Sequence, residues 1–210
     1  MAKFDIVPGL TFVSRKTWGA DPAHPRLGAT VPRTARTHVF IHHTVRVDND
    51  ASKLVWETES EIFREMKRLQ TIRPELGLDV PYNFVAFMTT LNGGGLYICE
   101  GRGEDRDGAH TKGHNTAAIA VSFAGDFHNV PIAASEIASR MPLLSNFLGW
   151  LRHDPSHPSY GTFDPMTRLQ TRKPPKPGRK VWFHRDVKAT DCPGKRLEKE
   201  LPAVDFVKPA

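Results

Sequence analysis

Cysteine is scarce in this chain: two residues in 210, Cys99 and Cys192. Two thiols do not make a disulfide framework, so stability has to come from an ordinary apolar core. Long apolar runs are missing as well. None approaches the length of a membrane-spanning helix, which argues against a membrane partner. The start, MAKFDIVPGL, lacks the apolar stretch that follows the basic end of a secretory signal. On that reading the protein is synthesised in a cytoplasm without a signal peptide and acts outside only after release. There is no internal repeat, no long low-complexity segment and no motif for reading nucleic acid.

What remains is ordinary in amount: 39% hydrophobic residues, enough for one core, and a net charge of +6. A length of 210 residues favours one domain spanning 1–210. The basic balance fits polyanionic surroundings, including a cell wall with phosphate-bearing polymers.

Residues 1–37 read as an irregular arm, 1–14 being its N-terminal part, with Thr11-Phe12-Val13 as a short strand and Trp18 as a plug onto the core. Thr37–Thr44 (THVFIHHT) is a strand by its β-branched and aromatic content. Period two puts His38, Phe40 and His42 on one face, and Val39, Ile41 and His43 on the other. His43 and His38 read as structural. Asp48 and Asp50 offer N-caps for a helix running from Ala51 to about Leu69. Tyr82–Thr90 and Leu96–Glu100 are strands joined through Asn92-Gly93-Gly94-Gly95, a hairpin turn. Residues 101–116 form a long polar loop carrying His110 and His114, and such loops are often functional. Ala117–Gly125 is a further strand. A helical pattern over Ala133–Leu151 contains Pro142, which should kink or split it. Residues 153–180, rich in proline, read as a surface insertion, and Lys195–Leu201 as a last short helix. Strands joined by helices and one hairpin indicate an α/β fold: a central mixed β-sheet flanked by α-helices.

The chemistry concentrates in Trp182–Gly194 (WFHRDVKATDCPG), where His184 ends a short strand and Cys192 opens a turn. With His42 they supply two imidazoles and a thiolate. That set suits a catalytic zinc, which needs three protein ligands and one open position.

Ile41-His42-His43-Thr44, Pro81-Tyr82-Asn83-Phe84, the run Gly108–Asn115 and His184 through Cys192-Pro193-Gly194 occur in the order found in zinc N-acetylmuramoyl-L-alanine amidases. The sequence resembles that family, which includes phage amidase-type lysozymes and peptidoglycan recognition proteins, from about Arg15 to Leu201. The resemblance implies one zinc ion at the floor of a surface groove, held by His42, His184 and Cys192. It implies hydrolysis of the amide between N-acetylmuramic acid and L-alanine of peptidoglycan, and thus lysis of the bacterial wall. Tyr82 matches the family's active-site tyrosine. Thr190 stands where some members carry lysine and others threonine. His110, Lys112, His114 and Asn115 are the expected groove residues for the muropeptide, and Asp186 the expected hydrogen-bond partner of a ligand histidine.

With no signal peptide, the reading extends to a monomeric phage endolysin made in the host cytoplasm, with peptidoglycan as its partner and neither nucleic acid nor membrane. The alternative is a non-catalytic peptidoglycan-binding module. Such receptors commonly lose the cysteine ligand, and this chain keeps it.

Overall fold

The computed structural model describes residues 2–45, 52–153 and 165–210. Among these residues eight strands form one mixed sheet: β1 (Lys3–Val7), β2 (Leu10–Val13), β3 (His38–His43), β4 (Val55–Trp56), β5 (Phe84–Thr89), β6 (Gly95–Glu100), β7 (Ala118–Phe123) and β8 (Trp182–Phe183). Their order is β1-β2-β6-β5-β7-β3-β8, with β4 pairing beside the end of β5. The pairs β5–β7, β7–β3 and β3–β8 are parallel, whereas β1–β2 and β5–β6 are antiparallel hairpins. The helices are α1 (Glu59–Leu69), α2 (Ala134–Ala138), α3 (Met141–His153) and α4 (Lys195–Glu200).

Alternation along the strands sorts the core into two layers. Phe84, Ala86, Val39, Ile41, Ile119 and Val121 pack with Leu144, Phe147, Leu148 and Leu151 of α3. Val85, Phe87, Tyr97 and Cys99 pack on the other face with Ile62, Met66 and Leu69 of α1. Cys99 is thus a small core residue, and both cysteines are free. Helix α1 covers only part of its face. Next to it, beyond β5, the same face carries His42 and the small cluster of Phe40, Ala118 and Trp182. That uncovered corner is where a cleft can open.

Pro142 splits the helical stretch as its chemistry requires, lying second in α3, where the lost N–H has no partner to miss. Helix α1 begins later than its apolar spacing suggests. Val55 and Trp56 pair with Met88 and Thr89 as strand β4. Thr58 then caps the helix, accepting from the Glu61 N–H at 3.2 Å while Glu61 accepts from the Thr58 N–H at 3.2 Å. Asp48 and Asp50, expected as caps, lie outside the described residues. Thr58→Ala should cost about 1 kcal/mol, checked by urea unfolding; an unchanged midpoint would show that the capping box is idle.

The N-terminal arm is more regular than its sequence suggests. Residues 3–13 form a hairpin whose second strand lies parallel to β6, with Leu10 and Phe12 fully buried. Trp18 plugs onto the core as expected, and its indole N–H donates to the Glu100 carbonyl at 2.7 Å. The segment 153–180 is not wholly a surface insertion. Residues 154–164 lie outside the described set, but Met166 and Leu169 beyond them are fully buried against the α3 layer. Apolar residues widely spaced among prolines leave no periodic signal, which is why the sequence reading missed them.

Candidate functional site

Strand register assembles the site. Phe40 pairs with Trp182 and Ile41 with Phe183. One further step in that parallel register sets His184 beside His42, and their ring centroids are 4.7 Å apart. Immediately after β8 the chain turns through His184–Asp186 and loops back, the Arg185 N–H donating to the Cys192 carbonyl at 3.2 Å. The return brings Cys192 Sγ to 3.4 Å from His42 Nδ1, across 150 positions of sequence. Gly194 permits this approach. Its φ is +98°, and a Cβ there would lie 2.6 Å from the Phe127 carbonyl carbon. Any other residue would push the cysteine turn off the sheet.

The candidate ligand atoms of His42, His184 and Cys192 all lie within 4.8 Å of one another. Donors about 2.0–2.3 Å from a tetrahedral zinc stand roughly 3.3–3.8 Å apart, so the 3.4 Å Cys192–His42 separation suits one. Burial holds the His42 ring well below the usual imidazole pKa, helped by the neighbouring His110 and His184. Burial also lowers His184 to about 4, with the Lys188 charge adding to it. Both rings are therefore neutral at pH 7 and have lone pairs to give. Burial pushes the Cys192 thiol up to about 12 in the absence of a cation. A divalent ion reverses that cost by binding the thiolate.

The three residues open onto a cleft of about 560 Å³ together with Tyr82, Thr190, His110, Lys188 and Arg73. Tyr82 packs tilted against His42, 5.4 Å from centroid to centroid. Burial and then the neighbouring Cys192 raise its phenol to about 12, so it remains a proton donor. The Thr190 oxygen accepts the Cys192 N–H at 3.3 Å, which leaves its hydroxyl proton available to the cleft. A cavity of similar size lies under the N-terminal arm, but its Arg15 and Arg26 are tied to Asp79, Glu100 and Asp105.

Other expected site residues are placed differently. Lys112 is exposed, and neither it, His114 nor Asn115 lines the cleft. His114 bonds His38 Nε2 at 3.1 Å and packs on Phe40 and Trp182. Asn115 braces the loop, its Oδ1 accepting the N–H groups of His110 and Thr111 at 3.0 and 2.9 Å. Asp186 does not reach a ligand histidine. Arg179 takes one carboxylate oxygen at 2.8 Å, and the Phe183 N–H takes the other at 2.8 Å. It anchors the turn that presents His184. The contact expected of Asp186 falls instead to Thr111, whose hydroxyl lies 3.4 Å from His42 Nε2. The sequence reading passed over Thr111, although it sits between His110 and Lys112 in the loop already singled out.

His43 is structural, as its strand face implies: it accepts the Phe127 N–H at 3.2 Å. Burial lowers it to about 4 and, with the Arg172 charge, lowers His38 to about 3. Both folded values lie below the ordinary 6.5, so the unfolded chain takes up protons first. Their contribution to stability is complete above about pH 6.5 and is lost as pH falls towards 4 and 3. These two groups alone should cost about 2–4 kcal/mol between pH 6.5 and 5, and in metal-free protein the depressed rings of His42, His110 and His184 add to the loss. Urea midpoints across that range check this, and a flat profile counts against neutral burial.

No family model matches the chain. Peptidoglycan-recognition protein SC2 of Drosophila simulans is 28% identical over 197 residues, covering 93% of this chain and 86% of its own. Drosophila PGRP-LB superposes with a TM-score of 0.61 at 21% identity, over 96% of this chain and 99% of its own. Peptidoglycan recognition protein-LE, solved in complex with tracheal cytotoxin, a monomeric diaminopimelic acid-type peptidoglycan, gives 0.59 at 22% identity, over 94% and 96%. The similarity to peptidoglycan-recognition proteins holds in sequence, and their solved structures share the fold. The phage endolysin reading does not hold. The relatives come from Drosophila, Holotrichia diomphalia and Homo sapiens and are peptidoglycan-recognition proteins. With it goes the expectation of synthesis in a bacterial host cytoplasm and release at lysis.

Proposed function

We propose that this chain, a relative of the peptidoglycan-recognition proteins, binds peptidoglycan in the His42 cleft and hydrolyses the amide joining N-acetylmuramic acid to L-alanine with the help of one zinc ion. The observation that carries the reading is the convergence of His42, His184 and Cys192 on one wall of a cleft that also holds Tyr82. When bound, zinc supplies a Lewis acid for the amide carbonyl and activates water as the nucleophile. His42, His184 and Cys192 would hold it at the wall of the cleft. Tyr82 donates its phenolic proton to the oxyanion that develops on the carbonyl, and Thr190 offers a second hydroxyl from the cysteine turn. The Lys188 cation sits on the cleft wall, where the stem peptide's carboxylates would run, while Arg73 on the same wall is paired with Glu75.

The test pairs elemental analysis with mass spectrometry of digested peptidoglycan. One zinc per chain and release of stem peptides beginning with L-alanine are expected. A recognition module that binds without cutting is the competing reading, favoured by the names of the relatives. It predicts retention on insoluble peptidoglycan with no released peptide even in zinc-loaded protein, and that result would end the hydrolase proposal.

A further inference from the structure

Thr111 is almost fully buried, and its hydroxyl touches two imidazoles: His110 Nδ1 at 3.0 Å and His42 Nε2 at 3.4 Å. It has one proton to give and no solvent to take it. His42 settles the direction, because its other nitrogen, Nδ1, faces Cys192 Sγ. A metal ion held between Nδ1 and the sulfur requires a bare Nδ1, and so does a thiol that donates to it; either places the ring proton of His42 on Nε2, pointing at Thr111. The Thr111 oxygen accepts it, and its own proton goes to His110 Nδ1. The proton of His110 is thereby fixed on Nε2. That atom is buried and has no hydrogen-bond partner among the described residues, on a side chain that lines the cleft. The ring is held there by Gly108, where a Cβ would come within 2.2 Å of His110 Cδ2. Buried donors are rarely left without an acceptor, and those that are call for an explanation such as a ligand.

We propose that Thr111 is a positioning residue that links His42 to His110, so that His110 presents its Nε2–H as an oriented donor to an acceptor oxygen of the bound ligand. The acceptor class is an amide carbonyl or a carboxylate, the oxygens a peptide stem offers. The link also orients His42 towards the metal, since a ligand histidine is set by the partner of its second nitrogen. The ligand identity rests on the function proposed above; the proton arrangement does not.

The experiment is 15N NMR of the histidine rings in metal-free and zinc-loaded protein, for the wild type, Thr111→Val and Thr111→Ser. In both wild-type states His110 and His42 should carry protonated Nε2 and bare Nδ1. Thr111→Val, nearly isosteric, should release His110 into a mixture of tautomers, and Thr111→Ser should restore the wild-type pattern. With zinc bound, Thr111→Val should lower metal affinity or turnover roughly 10–100-fold, with Thr111→Ser recovering most of it. A protonated Nδ1 on His110 in the wild type overturns the proposal, as does a Thr111→Val spectrum with His110 unchanged. If wild-type protein bound no zinc and cut no wall, the hydrolase reading would fall, while the metal-free spectra would still decide the proton arrangement.

Discussion

Cys192→Ala is expected to strip the protein of zinc and of any amidase activity. Two imidazoles remain, His42 and His184, and neither carries charge at neutral pH because burial depresses both. The thiolate is the one anionic donor in the set, and it also draws the turn closed against His42 at 3.4 Å. Its loss should weaken zinc by more than the roughly 100-fold that removal of an outer partner can cost. Elemental analysis after gel filtration reads this directly. Folding should survive, since the change leaves a methyl group facing a polar cleft and leaves both core layers intact. A Cys192→Ala protein that keeps one zinc per chain, or cuts at the wild-type rate, would show the three-residue assignment to be wrong.

Tyr82→Phe separates metal binding from turnover. The ring stays and continues to pack 5.4 Å from His42, so zinc content should not change. Only the hydroxyl goes, and with it the donor that a raised pKa of about 12 keeps protonated. Removal of one oxyanion donor costs roughly 10²–10³ in rate. The loss should fall on kcat rather than KM, because the bond strengthens only as charge develops on the carbonyl. A decrease of less than about threefold would demote Tyr82 to a wall of the cleft. A large rise in KM with kcat unchanged would recast it as a binding residue.

Much of this was legible from local pattern. Period two separated His42 from His43 before any contact was known, and His43 does face Phe127 and Asp126 on the far side of the sheet. The split at Pro142 and the hairpin turn followed from backbone chemistry that each residue carries with it. The failures share one cause. Asp186 has the chemistry to partner a ligand histidine, but Arg179 and the Phe183 N–H claim both of its oxygens. Asn115 and His114 looked like groove residues, yet one braces its own loop and the other leans on Phe40 and Trp182. A polar side chain advertises what it can bond to, and nothing in its neighbours along the chain says which partner will arrive first.

By itself, the sequence settled the donor types, the strand that carries His42, the short strand that leads into His184, and the turn that carries Cys192, because residue type and short-range periodicity act within a few positions. The tertiary structure alone decided that parallel pairing of β8 with β3 sets His184 beside His42, that the N-terminal residues complete the sheet, and that Thr111 stands behind the His42 ring. Those are contacts between segments far apart in the chain. They depend on strand order and on which faces are buried together, and a linear pattern does not encode either.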